Sequence, residues 1–222
     1  PDAEKFVEGI AAKLDGVWIL EFPYTLRTLE TLQFDQFYHE HYYYWLIKPL
    51  KKLLSKFGLN IFHCQEISIH GGSMRCWITN KNEYGDTETT EKFIKKEETF
   101  DYNRFMSLVW SKIIRDQSFI AKLDGSIALF GAAAKGCVYL NALSSFKLAE
   151  AYCVDDTPQK QGKYIPGTEI QVRNRDFLMV DRPDNVIIMA HNFAPAIKQS
   201  LINDGFKGRL ITMLPDIEID RA

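Results

Sequence analysis

The chain has 222 residues, 46% of them hydrophobic and 25% charged, with a net charge of -2. That is the balance of a soluble globular protein, long enough for one large domain or two small ones. It argues against nucleic acid as a partner. No apolar run approaches the roughly 18 residues that span a bilayer, so no membrane partner is expected and the sequence reads as cytoplasmic.

Phe6, Ile10, Ala11 and Leu14 recur at helical spacing, and Asp15-Gly16 closes that helix. The opening therefore reads as an amphipathic helix and not as a signal peptide. Pro1 is not an initiator Met, so a processed chain or a piece of a longer one is expected. Residues 17–22 form an apolar run of strand length, closed by Pro23. Next comes Tyr38-His39-Glu40-His41, followed at once by Tyr42-Tyr43-Tyr44-Trp45. A site that moves protons at neutral pH draws on imidazoles, carboxylates and phenols, and this knot concentrates all of them. The plainer reading of residues 42–45 is an aromatic core. No third ligand accompanies the two histidines, so no metal site is expected.

Residues 47–57 read as a helix stopped by Gly58, and 60–68 and 73–79 as two strands. His70-Gly71-Gly72-Ser73-Met74-Arg75 supplies the turn between them: a candidate binding turn, or a plain hairpin. His63, inside an apolar strand, reads as structural. Residues 80–90 are polar and suit a boundary or hairpin loop. Residues 93–123 read as one long helix, closed by Asp124-Gly125. Cys64, Cys76, Cys137 and Cys153 each sit in an apolar run with no CxxC pair, so buried free thiols are expected.

A second pattern then begins. A strand at 126–130 leads into Gly131-Ala132-Ala133-Ala134-Lys135-Gly136 and a helix over 137–144. A strand over 149–154 precedes a polar loop over 155–168. A strand over 185–190, a helix over 195–203 and a strand over 209–214 complete the chain. Strands alternating with helices imply parallel β-α-β units. Small residues at 131–136 let backbone N–H groups approach an anion at a helix N-terminus, and Lys135 adds positive charge. The turn is neither G-x-G-x-x-G nor a P-loop, and a ligand-free tight turn is the alternative. The loop at 155–168, with Lys160, Lys163 and Tyr164, lies where open α/β sheets bind ligands, but suits an ordinary surface loop equally well. His191-Asn192 ends an apolar strand, a site-like position that helix capping also explains.

Taken in order, Phe34-Asp35-Gln36-Phe37-Tyr38-His39-Glu40-His41, His70 to Arg75, Gly131 to Gly136, and Gln161-Gly162-Lys163-Tyr164-Ile165-Pro166-Gly167-Thr168 resemble the sugar C-methyltransferases. These act on nucleotide-linked deoxysugars with S-adenosylmethionine. The resemblance runs from about residue 5 to about residue 215 and covers the C-terminal part of that family. It implies part of a class I methyltransferase sheet over 1–85 and a Rossmann-like domain over 86–222 that helps hold the nucleotide-sugar. It implies that Tyr38, His39, Glu40 and His41 are catalytic. The expected substrate-binding residues are His70, Gly71, Gly72, Ser73, Gly131, Lys135, Gly136, Lys160, Tyr164 and Asn192. The family also carries an N-terminal four-cysteine zinc module and a glycine-rich motif for the methyl donor, and neither is in this sequence. The sheet is thus expected to be completed by a missing N-terminal portion or by another chain.

Carbon methylation requires removal of a proton next to a keto group. His41 or Tyr38 is the candidate base and Glu40 the partner that orients the imidazole. Tyr38, His39 or His70 is the candidate donor to the enolate oxygen. The competing reading is a non-catalytic Rossmann-like module that binds a nucleotide-sugar without a methyl donor.

Overall fold

The computed structural model describes residues 2–81, 84, 88–143 and 146–222, with the Phe146 side chain outside the description. The chain is α/β and divides into two compact units. The first comprises Pro1–Thr31 and His39–Phe105, the second Leu32–Tyr38 and Met106–Ala222. The division falls after Phe105 and not in the polar stretch 80–90. Much of that stretch (residues 82, 83 and 85–87) lies outside the described residues.

In the first unit, helix α1 (Ala3–Ala11) starts at Asp2, whose carboxylate accepts from the Lys5 amide at 3.1 Å. Strand β1 (Val17–Pro23) leads into the short helix α2 (Thr25–Glu30). Helix α3 (Ile47–Ser55) buries Ile47, Leu50, Leu53 and Leu54 on one face, the spacing of an amphipathic helix. Strands β2 (Asn60–Ile67) and β3 (Ser73–Thr79) form a hairpin, and β1 adds antiparallel to β3, giving the order β1-β3-β2. Cys64 and Cys76 face each other across β2 and β3 as buried free thiols.

Helix α4 (Glu88–Thr99) belongs with this unit because Glu97 ties it to α3. Its carboxylate accepts from the Ile47 amide at 2.6 Å, the Lys48 amide at 3.0 Å and the Tyr24 hydroxyl at 2.9 Å. The first amides of a helix have no partner within it, and no side chain at Leu46 supplies one. A buried carboxylate from another helix does so here. Glu97→Ala is expected to destabilise the first unit by about 3 kcal/mol or more, since charged hydrogen bonds and stranded buried donors are each worth about 1–3 kcal/mol. Glu97→Gln, which keeps an acceptor, should cost less. Denaturant unfolding followed by hydrogen exchange in β2 and β3 checks both.

The long helix read over 93–123 is broken. Asp101 accepts from the Asn103 amide at 3.1 Å, and the Tyr102 hydroxyl donates to the Glu97 carbonyl at 3.0 Å. These side-chain bonds give the backbone an alternative to continuing the helix. Helix α5 (Phe105–Ala121) then begins afresh.

The second unit holds β4 (Ile127–Phe130), α6 (Ala134–Ala142), β5 (Tyr152–Val154), β6 (Val172–Arg173), α7 (Phe177–Asp181), β7 (Asn185–Ile188), α8 (Ala194–Asn203), β8 (Arg209–Thr212) and β9 (Glu218–Arg221). Their order is β6-β5-β4-β7-β8-β9, parallel except for β9. Strands β4 and β7 are buried at every position, and apart from Asn185 they are apolar throughout. Strand β9 went unread because its residues, Glu-Ile-Asp-Arg, are exposed and carry no apolar pattern. Strand β6 has only two residues.

Candidate functional site

The second unit has a topological switch point. From adjacent strands β4 and β7 the chain proceeds in opposite directions across the sheet, to β5 and β6 on one side and to β8 on the other. Open α/β sheets bind ligands outside the carboxyl ends of strands at such a point. Gly131 follows β4 there with φ +97°, and a Cβ on it would lie 2.9 Å from the Ala190 Cβ. Gly136, inside α6, would bring a Cβ to 2.9 Å from the Met189 Cβ. Both glycines thus let α6 and the exit of β4 close onto the exit of β7.

The turn after β4 is tied to the loop after β5 by Asp155. That carboxylate accepts from the amides of Ala132 and Thr157, each at 2.8 Å, and from Lys160 Nζ at 3.1 Å. Burial pushes its pKa up, but the bonds from Thr157, Lys160 and Ala132 outweigh burial and hold it below the usual carboxylate range. Tyr164, farther along the loop, is exposed.

Residues 32–38 complete this region. A 3-10 turn, Phe34–Gln36, buries all three of its residues. The Phe34 ring stacks on Tyr139 of α6 with centroids 5.6 Å apart. Asp35 is 0% exposed, and its Oδ2 lies 3.5 Å from His191 Nδ1. Among the described residues neither Asp35 oxygen has a well-formed hydrogen bond, and neither does His191 Nε2. Burial pushes the Asp35 pKa up to about 6, against the pull of Lys135 and then of the nearby Asp35 and Gln36 amides and Lys112. Burial drives His191 down to about 4, and the positive charges of Lys135 and Lys112 act in the same direction. At neutral pH the pair is therefore a carboxylate beside a neutral imidazole. Lys135, on the first turn of α6, has its pKa lowered by burial and partly restored by Asp35.

A second buried set lies alongside. Asp116 of α5 accepts from the Tyr139 hydroxyl at 2.8 Å and pairs with Lys112 at 3.0 Å, while Lys112 also donates to the Met213 carbonyl at 2.9 Å. No motif in the sequence singles out Asp35, Lys112, Asp116 or Tyr139. His191 reads from sequence as a site-like strand end. The one signal for Asp35 is its place in the aromatic run before Tyr38. Helix α8 is entered through Phe193 without a side-chain cap, so capping does not account for Asn192.

The Tyr-His-Glu-His knot is divided between the units, with Tyr38 in the second and His39, Glu40 and His41 in the first. Tyr38 and His41 are half-buried, His39 and Glu40 exposed. The His41 ring meets Tyr44 edge-on at 6.1 Å. Tyr42, Tyr43 and Tyr44 are 66%, 44% and 38% exposed, so the reading of this cluster as core fails for the three tyrosines and holds for Trp45, which packs against the core of the first unit. Also in the first unit, the His70 turn is tight: His70 has φ +56°, and a Cβ on Gly72 would meet the Arg27 Cγ at 2.3 Å. Ser73 donates to the Ile69 carbonyl at 3.0 Å, Gly71 is half-buried and the His70 side chain is exposed. His63 packs edge-on against Trp77, with Thr89 at 3.3 Å. Among the described residues no group of three or more His, Cys, Asp or Glu could hold a metal.

A groove of ≈ 730 Å³ lies at the amino ends of β7 and β8 between Asp184, Lys207 and Arg209. It is at the opposite end of the strands from the switch point.

Residues 68–215 match the family model described as C-methyltransferase C-terminal domain. The chain belongs to this family. The C-methyltransferase C-terminal domain match takes in the His70 turn and nearly all of the second unit, and begins after the Tyr-His-Glu-His knot. The chain is also 27% identical over 238 aligned positions to C-methyltransferase NovU of Streptomyces niveus, an alignment covering 100% of this chain and 56% of NovU. The chain thus spans about half the length of that curated relative.

Proposed function

We propose that this chain is the C-terminal part of an enzyme that methylates a carbon of a nucleotide-linked keto-deoxysugar, with S-adenosylmethionine as methyl donor. Membership of the C-methyltransferase C-terminal domain family supports carbon methylation. The observation that carries the site assignment is that His39 and Glu40 are exposed and that half-buried His41 meets exposed Tyr44 edge-on. An imidazole, a carboxylate and a phenol at partly or fully exposed positions suit proton transfer.

The donor, when bound, supplies an electrophilic methyl group. In the first unit β1 runs through Pro23 into α2 and offers no glycine turn at a strand end to cradle it, so no residue here is assigned to the donor. This chain's own residues act on the sugar. His41 or Tyr38 takes the proton from the carbon beside the keto group, and Glu40 orients the imidazole. A hydrogen bond from Tyr38, His39 or His70 steadies the enolate oxygen. Exposed Tyr164 and Lys163 on the loop after β5, and half-buried Asn192 after β7, are assigned to the nucleotide.

The test is solvent exchange. The full-length enzyme, given a nucleotide-linked keto-deoxysugar in deuterated water, is expected to exchange the proton beside the keto group and then to place a methyl on that carbon. Binding of the sugar without exchange or methylation would favour a non-catalytic binding module instead.

A further inference from the structure

The crevice where this open α/β sheet would receive a ligand is already occupied by the protein. Gln33, Phe34, Asp35 and Gln36 are buried, with Phe34 on the Tyr139 ring of α6, the helix that follows β4, and Asp35 beside His191 after β7 and near Met213 and Leu214 after β8. Of the groups that could hold an anion, two bond a carboxylate of the protein itself, and Lys135 lies one turn before Tyr139 on α6, the helix that meets Phe34. The Ala132 amide and Lys160 serve Asp155, and the charge of Lys135 bears on Asp35. The space left between Asp35, Tyr139, Met189 and His191 is ≈ 10 Å³, about one water molecule. A diphosphate does not fit there, and a buried carboxylate would repel it.

We propose that Asp35 stands where such a sheet takes an anionic ligand, that residues 32–38 are the resident occupant of the crevice, and that Asp35, Lys135 and His191 are positioning residues for Tyr38. The positioning role rests on the reading of Tyr38 as a residue of the reaction site. Lys135 then answers a carboxylate of its own chain and not a substrate phosphate. The Rossmann-like unit becomes the anchor of a segment that carries reacting groups, and the nucleotide is met by other residues.

The pair also leaves a pH signature. Lys135 on α6 and Lys112 on α5 face it, Lys112 being paired with Asp116, which also accepts from Tyr139. Asp35 has a raised pKa, so the folded state takes up its proton before the unfolded state does, and acidification through that window favours folding. His191 has a lowered pKa, so the unfolded state is protonated first, and acidification works against folding. In the wild type the two oppose each other. Removing either should expose the other.

The test uses the full-length enzyme. In Asp35→Asn and Lys135→Met, amides 33–38 are expected to exchange with deuterated solvent about tenfold faster or more, while amides of β4 and β7 hold. In both variants kcat is expected to fall by about tenfold or more, with KM for the nucleotide-sugar within about twofold, because the loss is one of geometry and not of substrate contact. Lys135→Arg, which keeps the charge, should restore both. Calorimetry with a nucleoside diphosphate should give the same affinity for Lys135→Met as for wild type. Between about pH 6.5 and about pH 4.5, acidification should lower the denaturation midpoint of Asp35→Asn and raise that of His191→Gln. Unchanged exchange in both variants overturns the proposal. So does a Lys135→Met enzyme that binds the diphosphate about tenfold more weakly or worse. Full kcat in Asp35→Asn beside an inactive Tyr38→Phe overturns the positioning role. If Tyr38→Phe keeps its turnover while Asp35→Asn speeds exchange, the catalytic reading of Tyr38 falls and the occupancy of the crevice stands.

Discussion

Tyr38→Phe and His41→Asn are each expected to lower turnover of the full-length enzyme by roughly 10²–10⁴-fold, the contribution of a positioned proton-transfer group. Sugar affinity should change far less, because neither substitution removes a charge that the nucleotide needs. Tyr38→Phe deletes one oxygen from a half-buried ring and keeps its apolar body, so stability should shift only slightly. His41→Asn loses the edge-on contact with Tyr44, a modest loss at a partly exposed site. Exchange of the sugar proton with deuterated water separates the two roles. The variant that loses exchange carries the base, and the one that keeps exchange but loses methyl transfer carries the enolate's hydrogen-bond partner. Wild-type turnover and exchange in both variants would remove the knot from the chemistry altogether.

Asp116→Ala is expected to cost the second unit about 3–5 kcal/mol, the usual penalty for stranding one partner of a buried ion pair. Lys112 Nζ would keep only the Met213 carbonyl, and the Tyr139 hydroxyl would lose its acceptor. Burial already lowers the Lys112 pKa, and Asp116 is what holds its proton in place. Without that carboxylate Lys112 should shed its proton more readily, so the variant should lose further stability as pH falls through the lowered folded-state pKa of Lys112. Lys112→Met in the Asp116→Ala background should recover much of the loss, because it removes the unpaired charge. A double-mutant cycle read by hydrogen exchange in β4 and β7 measures this. A double variant less stable than Asp116→Ala by the full cost of Lys112→Met alone would mean the two side chains act independently.

Much was legible along the chain because local chemistry is written locally. The amphipathic spacing of α3, the buried runs of β4 and β7 and the glycine turns after β2 and β4 each follow from nearest-neighbour rules, and each is where it was read. The short exposed strand β9 and the two-residue β6 carry no such signal, because their pairing is fixed by the strands beside them. The break at 100–104 was written in Asp101 and Asn103, but the apolar spacing on either side masked it.

The sequence by itself determined the α/β class, the resemblance to sugar C-methyltransferases and the identity of the residues able to move a proton, since these depend on residue type and short-range order. What only the tertiary structure decided is which of them meet. Asp35 and His191 are far apart in sequence and 3.5 Å apart in space. Burial drives both pKa shifts, with Lys135 opposing the rise of Asp35 and adding to the fall of His191, and no window of sequence contains these causes. Lys135 looked like a phosphate ligand because a turn of small residues before a helix is an anion site wherever an anion can reach it. In the proposal made above, a carboxylate from residues 32–38 takes that place, and long-range packing of this kind is set by shape and desolvation across the whole unit.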